Sequence, residues 1–186
     1  MNQWPQPHRL NVDEYYKMAE AGQLAPDARV ELIEGVIIDM APIGSTHGRY
    51  VDFINERLVL AVHGRAIVRT RGALELSRWC EVQPDVAVLK FQKEGYDDSN
   101  PQGPDVLLAI EVADSSAEYD FGTKLQLYAR YGVPEVWILG VRTATLRFFR
   151  ARNDLGYAEQ SETQSPGAIL LSSLGLTVDL SGLIRT

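Results

Sequence analysis

The chain has 186 residues, 45% apolar and 23% charged, an ordinary globular composition with length enough for a sizeable core. Its net charge of −7 argues against strong nonspecific nucleic-acid binding, because affinity for phosphates comes mostly from Lys and Arg. No run approaches the roughly 18 apolar residues of a membrane span, and MNQWPQPHRL at the N-terminus lacks a signal-peptide pattern, so a cytoplasmic protein without a membrane partner is expected.

NVDEYYKMAEAG (11–22) predicts a short helix, with Asn11 as cap, Glu14 completing a capping box and Gly22 as stop. ARVELIEGVIIDM (28–40) predicts two strands around a tight Glu34-Gly35 turn. STHGRYVDFINERLVLAVHG (45–64) predicts a helix capped by Ser45 or Thr46 and stopped by Gly64, with Val51, Ile54, Leu58 and Val62 on its apolar face. AIVRTRGALELS (66–77) alternates in part, and EVQPDVAVLK (81–90) and DVLLAIEV (105–112) are strand-like around a loop. DFGTKLQLYARYG (120–132) predicts a helix with Asp120 as cap and Gly132 as stop. VPEVWILG (133–140) and TLRFFRA (145–151) follow as strands, and the tail from Ala168 as a short strand and turns. Without repeats or linkers, residues 1–186 are expected to form a single domain. The element order predicts an α/β (α+β) fold, a mixed sheet with helices packed on it.

Glu111 closes the apolar run VLLAIEV. Strand alternation puts Leu107, Ala109 and Glu111 on one face, and likewise Asp85, Ala87 and Leu89. Paired as a hairpin with Lys90 opposite Val106, the two strands set Asp85 opposite Glu111, with Cβ atoms about 4.5–5.5 Å apart. Two carboxylates so close need a shared proton or a cation, and a divalent metal with oxygen ligands meets that need. Two residues beyond Glu111 stands only Ala113. On the next helix, Phe121, Lys124, Leu125, Tyr128 and Gly132 share one face, which apart from Lys124 reads as the inward face. A lysine stem can cross a packing layer and bring its ammonium to the carboxylates. Taken alone, Glu111 and Lys124 also fit a structural buried ion pair. PDV occurs twice, but Asp105 follows Gly103-Pro104 and reads as strand entry, so Asp85 is preferred.

PDVAV (84–88), IEVADSS (110–116), YDFGTKLQLYARYGVPEVWIL (119–139) and ELIEGVII (31–38) together resemble the Uma2 family, over roughly residues 10–150. Those proteins are restriction-endonuclease-like members of the PD-(D/E)xK nuclease superfamily. The resemblance implies a restriction-endonuclease-like mixed β-sheet flanked by helices, and a metal-dependent endonuclease acting on nucleic acid, DNA first, with Mg²⁺ or Mn²⁺. It implies that Asp85 and Glu111 bind the metal, that the carbonyl of Val112 completes its shell, and that Lys124 steers or activates the nucleophile. The chain departs from the family pattern at Val136 and Gly140. A further catalytic acidic residue is expected from the N-terminal part. Glu31, inside a strand and favoured by the resemblance, is preferred over Glu34 in the turn. A different class stays open: a nuclease-fold module that no longer cuts and binds a partner protein or assembles with itself, as a homodimer for instance.

Other residues have plainer readings. His47, in the first turn of the second helix, is expected as a cap-region surface histidine over a contact to substrate phosphate or to a metal ligand. His8 and His63 read as surface, Trp4, Trp79 and Trp137 as packing, and Cys80, the only cysteine, as a small buried hydrophobe. Glu94, Asp97 and Asp98 read as a solvated loop. The arginines at 65, 69, 71 and 78, and at 142, 147, 150 and 152, read as solvated faces or as patches for an anionic partner.

Overall fold

The computed structural model describes residues 7–114 and 117–184, so Trp4 lies outside the described residues. Asn11 opens the first helix, α1 (Val12–Glu20), through the expected reciprocal cap: its side chain accepts the Glu14 N–H at 3.0 Å, and Glu14 accepts the Asn11 N–H at 2.9 Å. Strands β1 (Val30–Ile33) and β2 (Val36–Asp39) follow, joined by Glu34 and Gly35 at φ 50° and 81°. Positive φ at both central residues is what a two-residue hairpin turn requires.

The second helix, α2 (Ser45–Val62), buries Val51, Ile54, Leu58 and Val62 as its spacing predicts. Its cap differs from expectation. Gly44 is the N-cap, with extended backbone and no side-chain hydrogen bond, because Ser45 and Thr46 already lie inside the first helical turn.

The partly alternating stretch and the strand-like one after it each divide in two. Residues 66–77 break at Arg71, φ 50°, into β3 (Ala66–Thr70) and β4 (Leu74–Ser77). Residues 81–90 break before Asp85, at Pro84, which has no N–H for a ladder, into β5 (Cys80–Val82) and β6 (Val86–Lys90). Each half joins a different sheet. One sheet has the order β2-β1-β5-β4. The other holds β3 and β6, then β7 (Val106–Ala113), β8 (Val136–Gly140), β9 (Thr145–Asn153) and β10 (Gly156–Thr163), in the order β10-β9-β8-β7-β6-β3. Among the described residues only β7 and β8 pair in parallel, which makes the sheet mixed, as expected. Parallel neighbours need a crossover, and the helical segment after Glu111 supplies it.

That segment was expected to begin at an Asp120 cap. Helical backbone instead starts with α3 (Ala117–Tyr119), widens into a π turn at Asp120–Lys124 and ends as α4 (Leu125–Arg130). A π turn fits an extra residue into the helix. Asp120 and Lys124 are both turned inward, 3% and 1% exposed. Gly132, at φ 94°, follows the helix end as predicted.

Strand β10 was not anticipated: it is an edge strand with mostly exposed, polar side chains and so has no apolar alternation to read. The tail forms a hairpin, β11 (Ala168–Leu171) and β12 (Leu176–Asp179). Buried Glu135 ties it down, accepting from Trp137 Nε1 and Arg150 Nε at 2.7 Å each and from the Ser172 N–H at 3.1 Å. The six-stranded sheet has an apolar layer on each face. Val86, Val88, Leu108, Ile110 and Val112 pack with α2 and the β11–β12 hairpin. Ala87, Leu89, Ala109 and Ala113 pack with Tyr128 and with Leu74, Cys80 and Val82 of the smaller sheet. Cys80 and Trp137 are core residues, as read from the sequence.

The β6–β7 register at the Glu111 end is the expected one: Val86 pairs with Ile110, Ala87 with Ala109 and Val88 with Leu108. Beyond a bulge Leu89, not Lys90, pairs with Val106, so the Lys90–Val106 pairing is corrected at the far end only.

Two stability predictions follow from this packing. A Cβ on Gly103 would lie 1.8 Å from the Tyr131 carbonyl oxygen, a backbone atom that cannot swing away. Gly103→Ala should therefore cost about 1–3 kcal/mol in urea unfolding, and an unchanged midpoint would contradict this packing. Glu81, 3% exposed, accepts from the Tyr16 hydroxyl at 2.9 Å and from Asn100 Nδ2 at 3.1 Å. Burial nevertheless raises its pKa above the ordinary 4.5, against those two hydrogen bonds. A raised folded-state pKa means that the contribution is fully present below the unfolded value and is lost as pH rises through the folded one. Glu81→Gln should thus gain on the wild type as pH rises above the ordinary value of 4.5, as read from paired urea titrations. A constant difference would sink the idea.

Candidate active site

Asp85 stands just ahead of β6, directly after the Pro84 break. Its Oδ2 accepts the Val112 N–H at 2.8 Å, and its Oδ1 lies 2.8 Å from His47 Nε2. Continuing the Val86–Ile110 register brings Asp85 alongside Glu111. Glu111 points into the layer between β7 and the helical crossover. Its Oε1 accepts from the Tyr128 hydroxyl at 2.5 Å and lies 2.8 Å from the Lys124 ammonium.

The same ammonium is 2.9 Å from Oε1 of Glu31, in β1 of the smaller sheet. Glu31 is itself held, by the Gln83 N–H at 2.7 Å and by the Tyr119 hydroxyl at 3.3 Å. Lys124 thus bridges carboxylates from two sheets. Its second partner is Glu31, whereas Asp85 has His47. Of the two N-terminal glutamates, Glu31 is buried at the lysine and Glu34 lies in the turn with Arg130 at 3.0 Å. Asp85, Glu111, Asp120, Lys124, His47 and Gln83 line one cavity. Asp105 is elsewhere, its carboxylate accepting the Gln102 N–H at 2.9 Å in a short turn.

Electrostatics follow from crowding. Burial pushes Glu111 up to about 8; Lys124 opposes this, while Asp120, Asp85 and Glu31 add to it. Burial alone would lower Lys124, but Glu111, Glu31 and Asp120 outweigh it and hold the ammonium well above its ordinary range. Burial, then the neighbouring Glu111, also raises the Tyr128 hydroxyl, so it stays a donor.

Several of these residues were not found from sequence. His47 is no surface residue: its side chain is 13% exposed, closed over by Asp85. Asp120 was read as a cap and is buried in the π turn. The Tyr128 hydroxyl carried no signal beyond helical spacing, and Tyr119 lies ahead of the predicted helix. His8 and His63 are exposed, as expected; Trp79, expected as packing, is exposed instead, with Arg78 stacked on its ring. The expected arginine patches are largely committed to local contacts: Arg142 to Asp114, Arg147 to Glu162 and Arg150 to Glu135.

Among the described residues, no three His, Cys, Asp or Glu side chains are grouped to hold a metal ion. The donors at hand are nonetheless those of a hard cation. Glu31, Glu111 and Asp120 are buried around Lys124, and buried Asp85 lines the same cavity, an excess of carboxyl groups that a cation relieves. Strand geometry sends the Val112 carbonyl to the same edge as its N–H, which Asp85 already meets. Mg²⁺ is commonly bound by one or two carboxylates, with water and substrate phosphate completing its shell. Asp85, Glu111 and Val112 fit that pattern.

A family model described as "Uma2: Putative restriction endonuclease" matches residues 12–183. No curated protein matches the chain. Among solved structures, the chain is similar to a protein of Anabaena variabilis described as a putative nuclease belonging to DUF820. Identity is 16%, the alignment covers 92% of this chain and 94% of that one, and the TM-score is 0.70. That likeness shows a shared fold.

Proposed function

The chain belongs to the Uma2 family, and from that premise we propose that it is a divalent-metal-dependent endonuclease hydrolysing phosphodiester bonds in nucleic acid, DNA first. The class that the family description carries is nuclease. The observation that supports the finer reading most is Lys124, buried between Glu111 and Glu31 in the cavity that Asp85 also lines. Residues 1–186 act in this reading as a single domain.

Asp85, Glu111 and the Val112 carbonyl would hold Mg²⁺ or Mn²⁺. Such an ion, when bound, supplies Lewis-acid polarisation of a phosphoryl oxygen and a lowered pKa for a coordinated water. The remaining work falls to the chain. Lys124 presents a fixed positive charge to the negative charge that develops on the phosphate. Glu31 and Glu111 hold that ammonium from two sides, so no reorganisation is needed as the charge develops. Tyr128 and Lys124 both engage Oε1 of Glu111, which fixes the carboxylate's orientation.

The test is incubation of supercoiled plasmid, linear duplex, single-stranded DNA and RNA with Mg²⁺ or Mn²⁺, with an EDTA control. DNA cleavage that EDTA abolishes is expected. Cleavage of RNA alone would overturn the DNA assignment. Absence of cleavage together with absence of Mn²⁺ binding would favour a module that binds a partner or itself.

A further inference from the structure

Resting on the metal site just proposed, we infer that His47 is a positioning residue that sets its cation preference, by holding Asp85 rigid and so favouring Mg²⁺ or Mn²⁺ over the larger Ca²⁺. Helix α2 brings His47 to Asp85, while β7 brings the Val112 N–H. The His47 Nε2–Asp85 Oδ1 separation is 2.8 Å, with side-chain exposures of 13% and 10%. The other oxygen, Oδ2, is fixed at 2.8 Å by the Val112 N–H in a central strand. A carboxylate gripped at both oxygens by two elements cannot rotate about its own axis.

That rigidity discriminates between cations. Mg²⁺ needs near-ideal octahedral geometry at about 2.0–2.1 Å and suits a fixed donor. Ca²⁺ takes about 6–8 oxygens at about 2.3–2.6 Å and draws on carboxylates that can swing between one- and two-oxygen binding. Hydrogen bonds to ligating groups orient them, and their loss typically costs 10–100-fold in metal affinity. An ordinary buried ion pair would steady α2 without distinguishing one ion from another.

The experiment measures Mn²⁺ and Ca²⁺ affinities by calorimetry on the full chain: wild type, His47→Ala, His47→Gln and Asp85→Asn, each checked for native circular dichroism. Wild type should prefer Mn²⁺. His47→Ala should weaken Mn²⁺ by about 10–100-fold and Ca²⁺ by less, so that the preference shrinks. His47→Gln, whose amide N–H can stand where Nε2 does, should restore it. Equal losses for both ions, or an unchanged ratio, would overturn the inference while leaving the metal site standing. So would ¹⁴N coupling to bound Mn²⁺ in the wild type that vanishes in His47→Gln, since His47 would then be a ligand. Mn²⁺ binding that is absent from the wild type, or indifferent to Asp85→Asn, would overturn the metal site and the inference with it.

Discussion

Replacing Lys124 by Met should cost about 3–5 kcal/mol of folding stability, one of the larger losses any single side chain here can cause. The stem is nearly conserved in volume, so the loss is electrostatic. Glu31 and Glu111 would be left buried without their shared cation, and the ammonium now sits 2.9 and 2.8 Å from them. Protonation can soften the blow, because burial already pushes Glu111 up to about 8. The deficit should therefore be larger at pH 9 than at pH 6. A second substitution, Glu31→Gln, removes one orphaned charge and should recover part of the loss, since residues in one ion-pair network do not add independently. Urea unfolding of the two single variants and the double variant completes the cycle. A Lys124→Met deficit under about 1 kcal/mol, or strict additivity, would mean that the ammonium does not hold these carboxylates together.

How far the site could be read in advance depended on which interactions set each residue. Glu111 and Lys124 announced themselves as charges inside apolar patterns, one of period two and one of period 3.6. Their meeting required only that the helix after β7 fold back on the sheet. The register that carries Asp85 to Glu111 survived the bulge because the slip lies beyond Val88, on the side away from the site. His47 was illegible for the opposite reason: its role depends on how α2 is aimed at Pro84-Asp85, across 38 residues of chain. Asp120 was misread because a π turn breaks the spacing that a regular helix would give. The division of residues 81–90 was written in Pro84, yet the smaller sheet that β5 joins is made of strands of three and four residues, too short for alternation to show.

Asp85→Asn should lower metal-dependent DNA cleavage by about a thousandfold while leaving the fold intact. Asn keeps the shape and can still accept the Val112 N–H, so the backbone contact that places residue 85 persists. What it loses is the negative charge, and with it the oxygen donor that a divalent cation prefers. The matching control is Asp105→Asn, in the chain's other Pro-Asp-Val. Asp105 caps a turn through the Gln102 N–H at 2.9 Å and lines none of the cavity, so its loss should cost on the order of 1 kcal/mol of stability and no activity. Initial rates on supercoiled plasmid, with circular dichroism and melting of both variants, make the comparison. Should Asp85→Asn cut as fast as Asp105→Asn, the carboxylate at the head of β6 is not catalytic, and the cluster of Glu31, Glu111 and Lys124 reverts to a buried network that joins the two sheets.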